Sequence, residues 1–447
     1  MKKINKLIVL LITAIGILLT SCKKDWLDAK PSQDLVVPTT AKDFQALLDN
    51  TSLFNYNVAG IGEIGTDNIS LTDSRWQSSR EIERSAYIWS NTSVLNNNIS
   101  EWDNAYKRIL NENITLEGVD KNGNPADTAW KNIKGTALFF RAYDYYSLAQ
   151  LFCKPFTTNA ASDPGIVLRK SSDVNEKSIR ATVQQTYQQI ISDLTQSRNL
   201  LPEVPVYKTR PSVPAAYAML ARVYLSMGDY DNALLYADST LQRYSKLLDY
   251  NTIDATARRP FPLFNDEVIF HWMVTNYGLL FNATVDPNLY AMYESNDLRK
   301  SLFFSATMTF RNSYTGNAVP FNGLATDEVF LIRAECRARN GYINGAADDI
   351  NTLLAKRWKN NGTFAPLTFG TREQALQTIL GQRRKELVMR GLRWTDLRRL
   401  NQDAAFAVTL RRTVNGMVYD LPPNDVRYTH LIPQLEINSS GISQNPR

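Results

Sequence analysis

The 447-residue chain carries 50 lysines and arginines against 44 aspartates and glutamates, a formal charge of +6. That excess is mild and forms no dense basic run, which argues against nucleic acid. The only two histidines, His271 and His430, lie far apart, which weakens metal and imidazole acid–base chemistry. After residue 21 no apolar run is long enough to span a bilayer as a helix, and the length suits one large or two ordinary domains.

Lys2, Lys3 and Lys6 precede an apolar run from Ile8 to Leu19, broken only by Thr13 and Gly16. This predicts a signal peptide over residues 1–21 rather than a membrane span. Leu19-Thr20-Ser21-Cys22 resembles a bacterial lipobox. The resemblance implies a diacylglycerol on the Cys22 thiol, cleavage before it and acylation of the new amine. The plainer alternatives are an uncleaved anchor helix, or an ordinary signal beside a chance cysteine. Each buried methylene contributes roughly 0.8 kcal/mol, so two or more acyl chains hold firmly. Residues 22–40, with Pro31 and Pro38, read as a lipid-anchored tether. About 16 flexible residues reach roughly 20–25 Å. Besides Cys22 only Cys153 and Cys336 remain, both in apolar helical surroundings, so buried free thiols are predicted rather than a disulfide.

Residues 41–447 read as one domain whose clearest signal is a repeat. In "PAAYAMLARVYLSMGDYDNALLYADSTLQ", Tyr217, Leu220, Ala221 and Tyr224 share a helical face. Gly228 breaks the helix, and Tyr230, Ala233, Ala237 and Leu241 form the inner face of a second one. This is tetratricopeptide spacing, with small residues where two helices cross. "EVFLIRAECRARNGYINGAADDINTLLAKR" repeats it with Ala334, Gly341-Tyr342, Ala346, Ile350 and Leu354. A looser copy starts at Trp130 and takes Thr182–Pro202 as its partner helix. A fourth pair is predicted within 371–400, punctuated by Gly391. The repeat pairs thus fall within about 128–243 and 325–400. Residues 50–100, 250–326 and 413–447 read as irregular excursions, the places where function concentrates on a rigid frame. The expected fold is mostly α: a tetratricopeptide-like helical repeat frame with a long irregular, loop-rich lobe.

Several stretches, in order, resemble the RagB/SusD family of nutrient-uptake outer-membrane lipoproteins: "CKKDWLDAKPSQ", "ALFFRAYDYYSLAQLF", "RPSVPAAYAMLARVYLSMGDYDNALLYAD", "EVFLIRAECRARNG", "RRKELVMRGLRWTDLRRL" and "LIPQLEINSSGISQNP". The resemblance covers almost the whole chain. It implies a lipid-anchored protein on the cell exterior that captures oligosaccharides, caps a partner TonB-dependent (SusC-like) transporter, hands its ligand over and catalyses nothing. Departures are Cys153 where a Gly often follows the Leu-Phe pair, and Gln382 and Arg390 at positions often Glu. They put the ligand in doubt. A lid for peptides or other nutrients, or a repeat scaffold binding only protein, are the alternative readings.

The motif survey yields no Gly-x-Ser-x-Gly elbow, phosphate loop, His-Glu-x-x-His or dinucleotide fingerprint, and neither cofactor nor metal is expected. Asp120, Asn122, Asn124 and Asp127 suggest a cation loop, but an EF-hand needs Gly and Glu where Pro125 and Lys131 stand, so a solvated turn is predicted. Arg383 and Glu386 are spaced for a structural ion pair on adjacent turns, and Trp394 for a core aromatic. A sugar ring stacks on aromatic faces and presents hydroxyls to planar polar groups. The ligand-binding candidates are therefore Asp67, Asn68, Arg75 and Trp76 in one excursion, with Asn276, Tyr277, Arg311, Asn312 and Tyr314 in another.

Overall fold

The computed structural model describes residues 37–91, 99–281, 283–311 and 314–447. The signal peptide, Cys22, the tether through residue 36 and Asn312 lie outside these residues.

The protein is mostly helical. Its frame runs through α1 (Ser100–Asn122), α2 (Thr128–Phe152), α3 (Val183–Ser197), α4 (Val213–Met227), α5 (Tyr230–Arg243), α6 (Thr326–Arg339), α7 (Ile343–Ala355), α8 (Arg372–Glu386) and α9 (Arg393–Leu400). Each helix from α1 to α6 packs on the next, and α6 also receives α7 and α8. The α4–α5 hairpin shows why the sequence folds this way. The Ser212 side chain accepts a hydrogen bond from the Ala215 amide, and Pro214 sits in the first turn. Gly228 ends α4 at φ +75°, and Asp229 then caps α5 by accepting from the Asn232 amide. Ala221, Ala233 and Ala237 are fully buried, which lets the two backbones approach closely. The same small-residue contacts recur at Ala334 and Ala346 in α6 and α7. Cys153 and Cys336 are buried free thiols.

Buried guanidinium–carboxylate pairs stitch neighbouring helices together. Arg108 of α1 holds Asp144 of α2 at 2.6 Å, Arg141 of α2 holds Asp193 of α3 at 2.8 Å, and Arg222 of α4 holds Glu328 of α6 at 2.6 Å. The first pair explains why α1 escapes the sequence reading. Its buried face carries Glu101, Arg108, Glu112 and Asn113 among Trp102, Ala105, Ile109 and Leu116, so the apolar stripe is interrupted. Residues 120–127 close the α1–α2 turn, where Asp127 caps α2 through the Ala129 amide.

The excursions contain short helices and two-stranded antiparallel ladders. These pair β1 (Ile69–Ser70) with β5 (Thr284–Val285), β2 (Pro164–Val167) with β3 (Arg180–Thr182), β4 (Val268–Phe270) with β6 (Leu324–Ala325), and β7 (Leu410–Val414) with β8 (Met417–Leu421). The last ladder lies in a stretch expected to be loop. Asn415 and Gly416 at its tip both have positive φ, as a tight hairpin turn requires. The β4 strand lays Phe270 and the following Trp272 against α2, where Trp272 stacks on Tyr143 at 4.5 Å and meets the edge of Phe140.

A buried charge cluster locks this second excursion to the frame. Arg357, after α7, donates to Glu267 at 2.8 Å and to Glu386 of α8 at 2.8 Å. Arg299 joins Glu386 to Asp297, Lys385 adds to Asp297, and Arg390 holds Asp327 of α6 at 2.6 Å. Four carboxylates thus meet four cations, and their formal charges balance. The carboxylate oxygens of Glu267, Asp327 and Glu386 lie within 4.8 Å of one another. Each of the three accepts from a guanidinium group: Glu386 from Arg299, Glu267 from Arg357 and Asp327 from Arg390. Two of the three residue departures from the family pattern serve this cluster: Gln382 accepts from Arg299 at 2.7 Å, and Arg390 is the partner of Asp327. Arg383 pairs not with Glu386 but with Asp396 of α9 at 2.9 Å, a correction to the adjacent-turn expectation. Glu386 already faces two arginines from other segments, so the cross-element pairs prevail.

Two substitutions test these assignments by denaturant unfolding. Arg357→Met strands Glu267 and half of Glu386 in the interior and is expected to cost about 3–5 kcal/mol. His430→Phe should be far milder. Neither ring nitrogen of the buried His430 has a protein partner, and the ring stacks on Trp394 at 5.5 Å. Burial, with Arg447 and Arg398 nearby, lowers its pKa from 6.5 to about 3. Stability present above pH 6.5 is therefore lost as pH falls toward 3. The Phe variant is expected within about 1 kcal/mol of the parent at pH 7.5 and to lose less at pH 4.5. An equal or steeper acid loss would contradict the neutral buried imidazole.

Candidate ligand-binding lobe

The three segments that hold the predicted ligand residues are strung side by side. Strand β1 pairs with β5 in the register Ile69 with Val285 and Ser70 with Thr284, and Thr284 bridges onward to Thr309. The Asp286 amide donates to the Asn68 carbonyl at 2.8 Å, and the Phe310 amide to the Ala283 carbonyl at 2.9 Å. Residues 67–76, 276–281, 283–286 and 308–311 are thereby brought together, although their sequence separations exceed anything periodicity reads.

Within that lobe the candidates have unequal surroundings. Asp67 is gripped by Arg393 at 2.8 Å and by Arg384 at 3.2 Å. Burial pushes its carboxyl up, but the two guanidinium groups outweigh this and hold it well below the usual carboxylate range. Asn68 is buried and donates to Glu63 at 2.8 Å. Tyr277 is buried, and its hydroxyl donates to Glu101 at 2.8 Å. Burial first, then the Glu101 charge, raises its pKa well above 10. Tyr314 is fully buried, and its hydroxyl donates to Glu267 inside the charge cluster. In this conformation the hydroxyls of Tyr277 and Tyr314 and the side-chain N–H of Asn68 are spent on internal contacts.

The solvent side belongs to the others. Arg75 is exposed and donates to the Gly278 carbonyl at 2.9 Å, which ties the first loop to the second. Half-buried Trp76 donates its indole N–H to the Arg84 carbonyl, and the Arg84 guanidinium lies 5.8 Å from its ring centre. Asn276 is exposed beside the Tyr56 hydroxyl. Arg311 is half-buried and donates to the carbonyls of Ala255 and Ser301, both at 2.9 Å, at the wall of a cleft of about 420 Å³.

The support beneath these loops escaped sequence reasoning. Glu63 accepts from Asn68 and, at 3.0 Å, from the Gly391 amide. Gly391 has φ +68°, and a Cβ there would lie 2.7 Å from Ala59 Cβ, so only glycine fits this contact. Glu101 accepts from the Ile61 amide and from Tyr277. Arg393 and Arg384 were visible as part of a family-like stretch, but Asp67 lies more than 300 residues earlier, and no helical spacing connects them. The hairpin tip is tied in the same manner: Asn415 meets Gln77 at 2.8 Å and Asp73 at 2.9 Å. The Asn-Gly dipeptide was the available signal for that hairpin.

A helical-repeat frame carrying a loop-built lobe, with polar and aromatic groups at its rim, defines a class of ligand-capturing proteins. Two family models match the chain: one described as starch-binding and associating with the outer membrane, over residues 25–225, and one described as the SusD family, over residues 306–446. The chain belongs to the SusD/RagB family. It is 26% identical over 373 residues to SusD-like protein P2 of Formosa agariphila, covering 67% of this chain and 71% of that one. Its fold is similar to a sugar-binding protein of Bacteroides vulgatus, with a TM-score of 0.73 at 21% identity, over 92% of this chain and 99% of that one. It is also similar to a laminarin-binding SusD-like protein, with a TM-score of 0.65 at 18% identity, over 92% of this chain and all of the other. Among the described residues no helix is long and apolar enough to cross a membrane.

The carboxyl under the loops supplies a pH test. Burial pushes Glu63 from 4.5 up to about 7. Between those values the folded protein holds a proton that the unfolded chain releases. The corresponding stability is complete below pH 4.5 and lost as pH rises through 7. Urea midpoints of Glu63→Gln from pH 5 to 8 should vary less than those of the parent. Identical profiles would show that Glu63 keeps an ordinary pKa.

Proposed function

We propose that this protein is a lipid-anchored, exterior-facing outer-membrane lipoprotein that captures oligosaccharides and delivers them to a partner TonB-dependent, SusC-like transporter without chemically altering them. The observation that carries this reading is the family membership, joined to a lobe that sets exposed Arg75 and Asn276 and half-buried Trp76 on adjoining loops. A laminarin-binding relative with the same fold supports a glycan as cargo.

In this mechanism the frame stays rigid and the loops do the recognition. A sugar ring packs on an aromatic face while its hydroxyls exchange water for the amide of Asn276 and the guanidinium of Arg75. An acylated Cys22 confines the protein to the membrane surface. The tether then raises the effective concentration of the loaded lobe at its transporter, so repeated engagement needs no tight intrinsic affinity.

Two measurements test the reading. On glycan arrays and by calorimetry, the protein is expected to bind oligosaccharides without turning them over, and Arg75→Ala with Trp76→Ala should weaken binding about tenfold or more. Cys22→Ser should move the protein from the membrane to the soluble fraction. Retention of the Cys22→Ser protein on membranes would exclude the lipid anchor. Glycan turnover by the pure protein would exclude capture without catalysis.

A further inference from the structure

The cleft of about 420 Å³ beside the lobe has an unbalanced charge. Lys300, Arg311 and Lys359 line it together with Tyr290, Ser295, Ser301 and Ser305. Arg259 adjoins the wall by donating to the Arg311 carbonyl, and exposed Arg258 precedes it in sequence. None of these five cations forms a salt bridge among the described residues. Their hydrogen bonds go to neutral groups. Arg311 is held by the carbonyls of Ala255, Ala257 and Ser301. Lys300 donates to the Tyr293 carbonyl at 3.0 Å, and its ammonium lies 4.8 Å from the Tyr290 ring centre. Such partners orient a cation without cancelling its charge.

The nearby acids do little to compensate. Asp297 lines the cleft but is neutralised by Arg299 and Lys385, both at 2.7 Å. Asp254 is exposed and accepts from the amide and hydroxyl of Thr256, and Glu294 is exposed. Burial first, and then the charges of Arg258 and Arg311, lowers the Arg259 pKa. A concave wall of one sign focuses that field on whatever enters.

We propose that this cleft takes anionic glycans, seating a sulfate ester or uronate carboxylate among Lys300, Arg311 and Lys359, with a sugar ring toward Tyr290. This rests on the reading of the protein as a glycan binder, and it names the class of glycan. Sulfate and carboxylate share the chemistry that matters here: a delocalised anion accepting several charge-assisted hydrogen bonds. The serine hydroxyls supply further donors around it.

Calorimetry at 0.15 M salt with dextran, dextran sulfate and oligogalacturonates tests the proposal. At least one anionic probe is expected to bind ten times or more tightly than dextran, and the stronger of the two identifies sulfate or carboxylate as the preferred group. Lys300→Gln with Lys359→Gln should remove most of that preference, about tenfold per lost contact. A charge-matched control, Lys107→Gln with Lys121→Gln on α1, should retain it. Equal binding of neutral and anionic probes, or equal losses in the two double variants, would overturn the anionic cleft while leaving glycan capture standing. Failure of every oligosaccharide to bind would overturn both.

Discussion

The guanidinium of Arg357 is the point on which the two halves of this protein meet. It is fully buried, lies 3.9 Å from the Tyr250 ring centre, and reaches Glu267 in the loop-rich excursion and Glu386 at the end of α8. A frame of helices and a set of loops with little regular structure share few backbone hydrogen bonds, so something directional must fix one against the other. Charge-assisted pairs do this better than apolar contact because a misplaced loop leaves charges stranded in a low dielectric. The balance of formal charges in the cluster lets it exist in the interior at all.

The same logic extends outward into the lobe. Strands of two residues cannot hold themselves together, and the β1–β5 ladder is of that length. Long side chains acting on backbone carbonyls replace them. Arg412 reaches the carbonyls of Ile64, Thr66 and Tyr87 while stacking on Tyr87 and Trp89. Arg311 ties three strands of chain in the same manner. Arginine suits this work because its planar fork satisfies several carbonyls at once and packs flat on rings. The loops are thus irregular in path yet fixed in place, which a binding surface needs if its groups are to be set before the ligand arrives.

A capture protein gains from this division of labour. Helical repeats with small residues at their crossings supply stiffness from local contacts. Loops laid over them can vary in sequence without disturbing that packing, provided the buried anchors remain. Buried tyrosines such as Tyr277 and Tyr314 belong to the anchors, and exposed groups such as Arg75 and Asn276 belong to the rim.

The sequence by itself determined the repeat hairpins and the buried thiols, because their signals are local. Small residues at helix crossings, Gly228 and Gly341 at turns, and capping residues such as Asp229 act within one or two helical turns of themselves. Helix α1 was hidden because its buried face is partly ionic, and its Arg108 is matched by Asp144 on α2. The tertiary structure alone decided which candidate side chains face solvent, which arginine serves which acid, and that Lys300, Arg311 and Lys359 line one cleft. Those outcomes depend on pairings across tens to hundreds of residues. Electrostatic partners at such separations leave no period in the chain, and only the packed fold brings them within hydrogen-bonding distance.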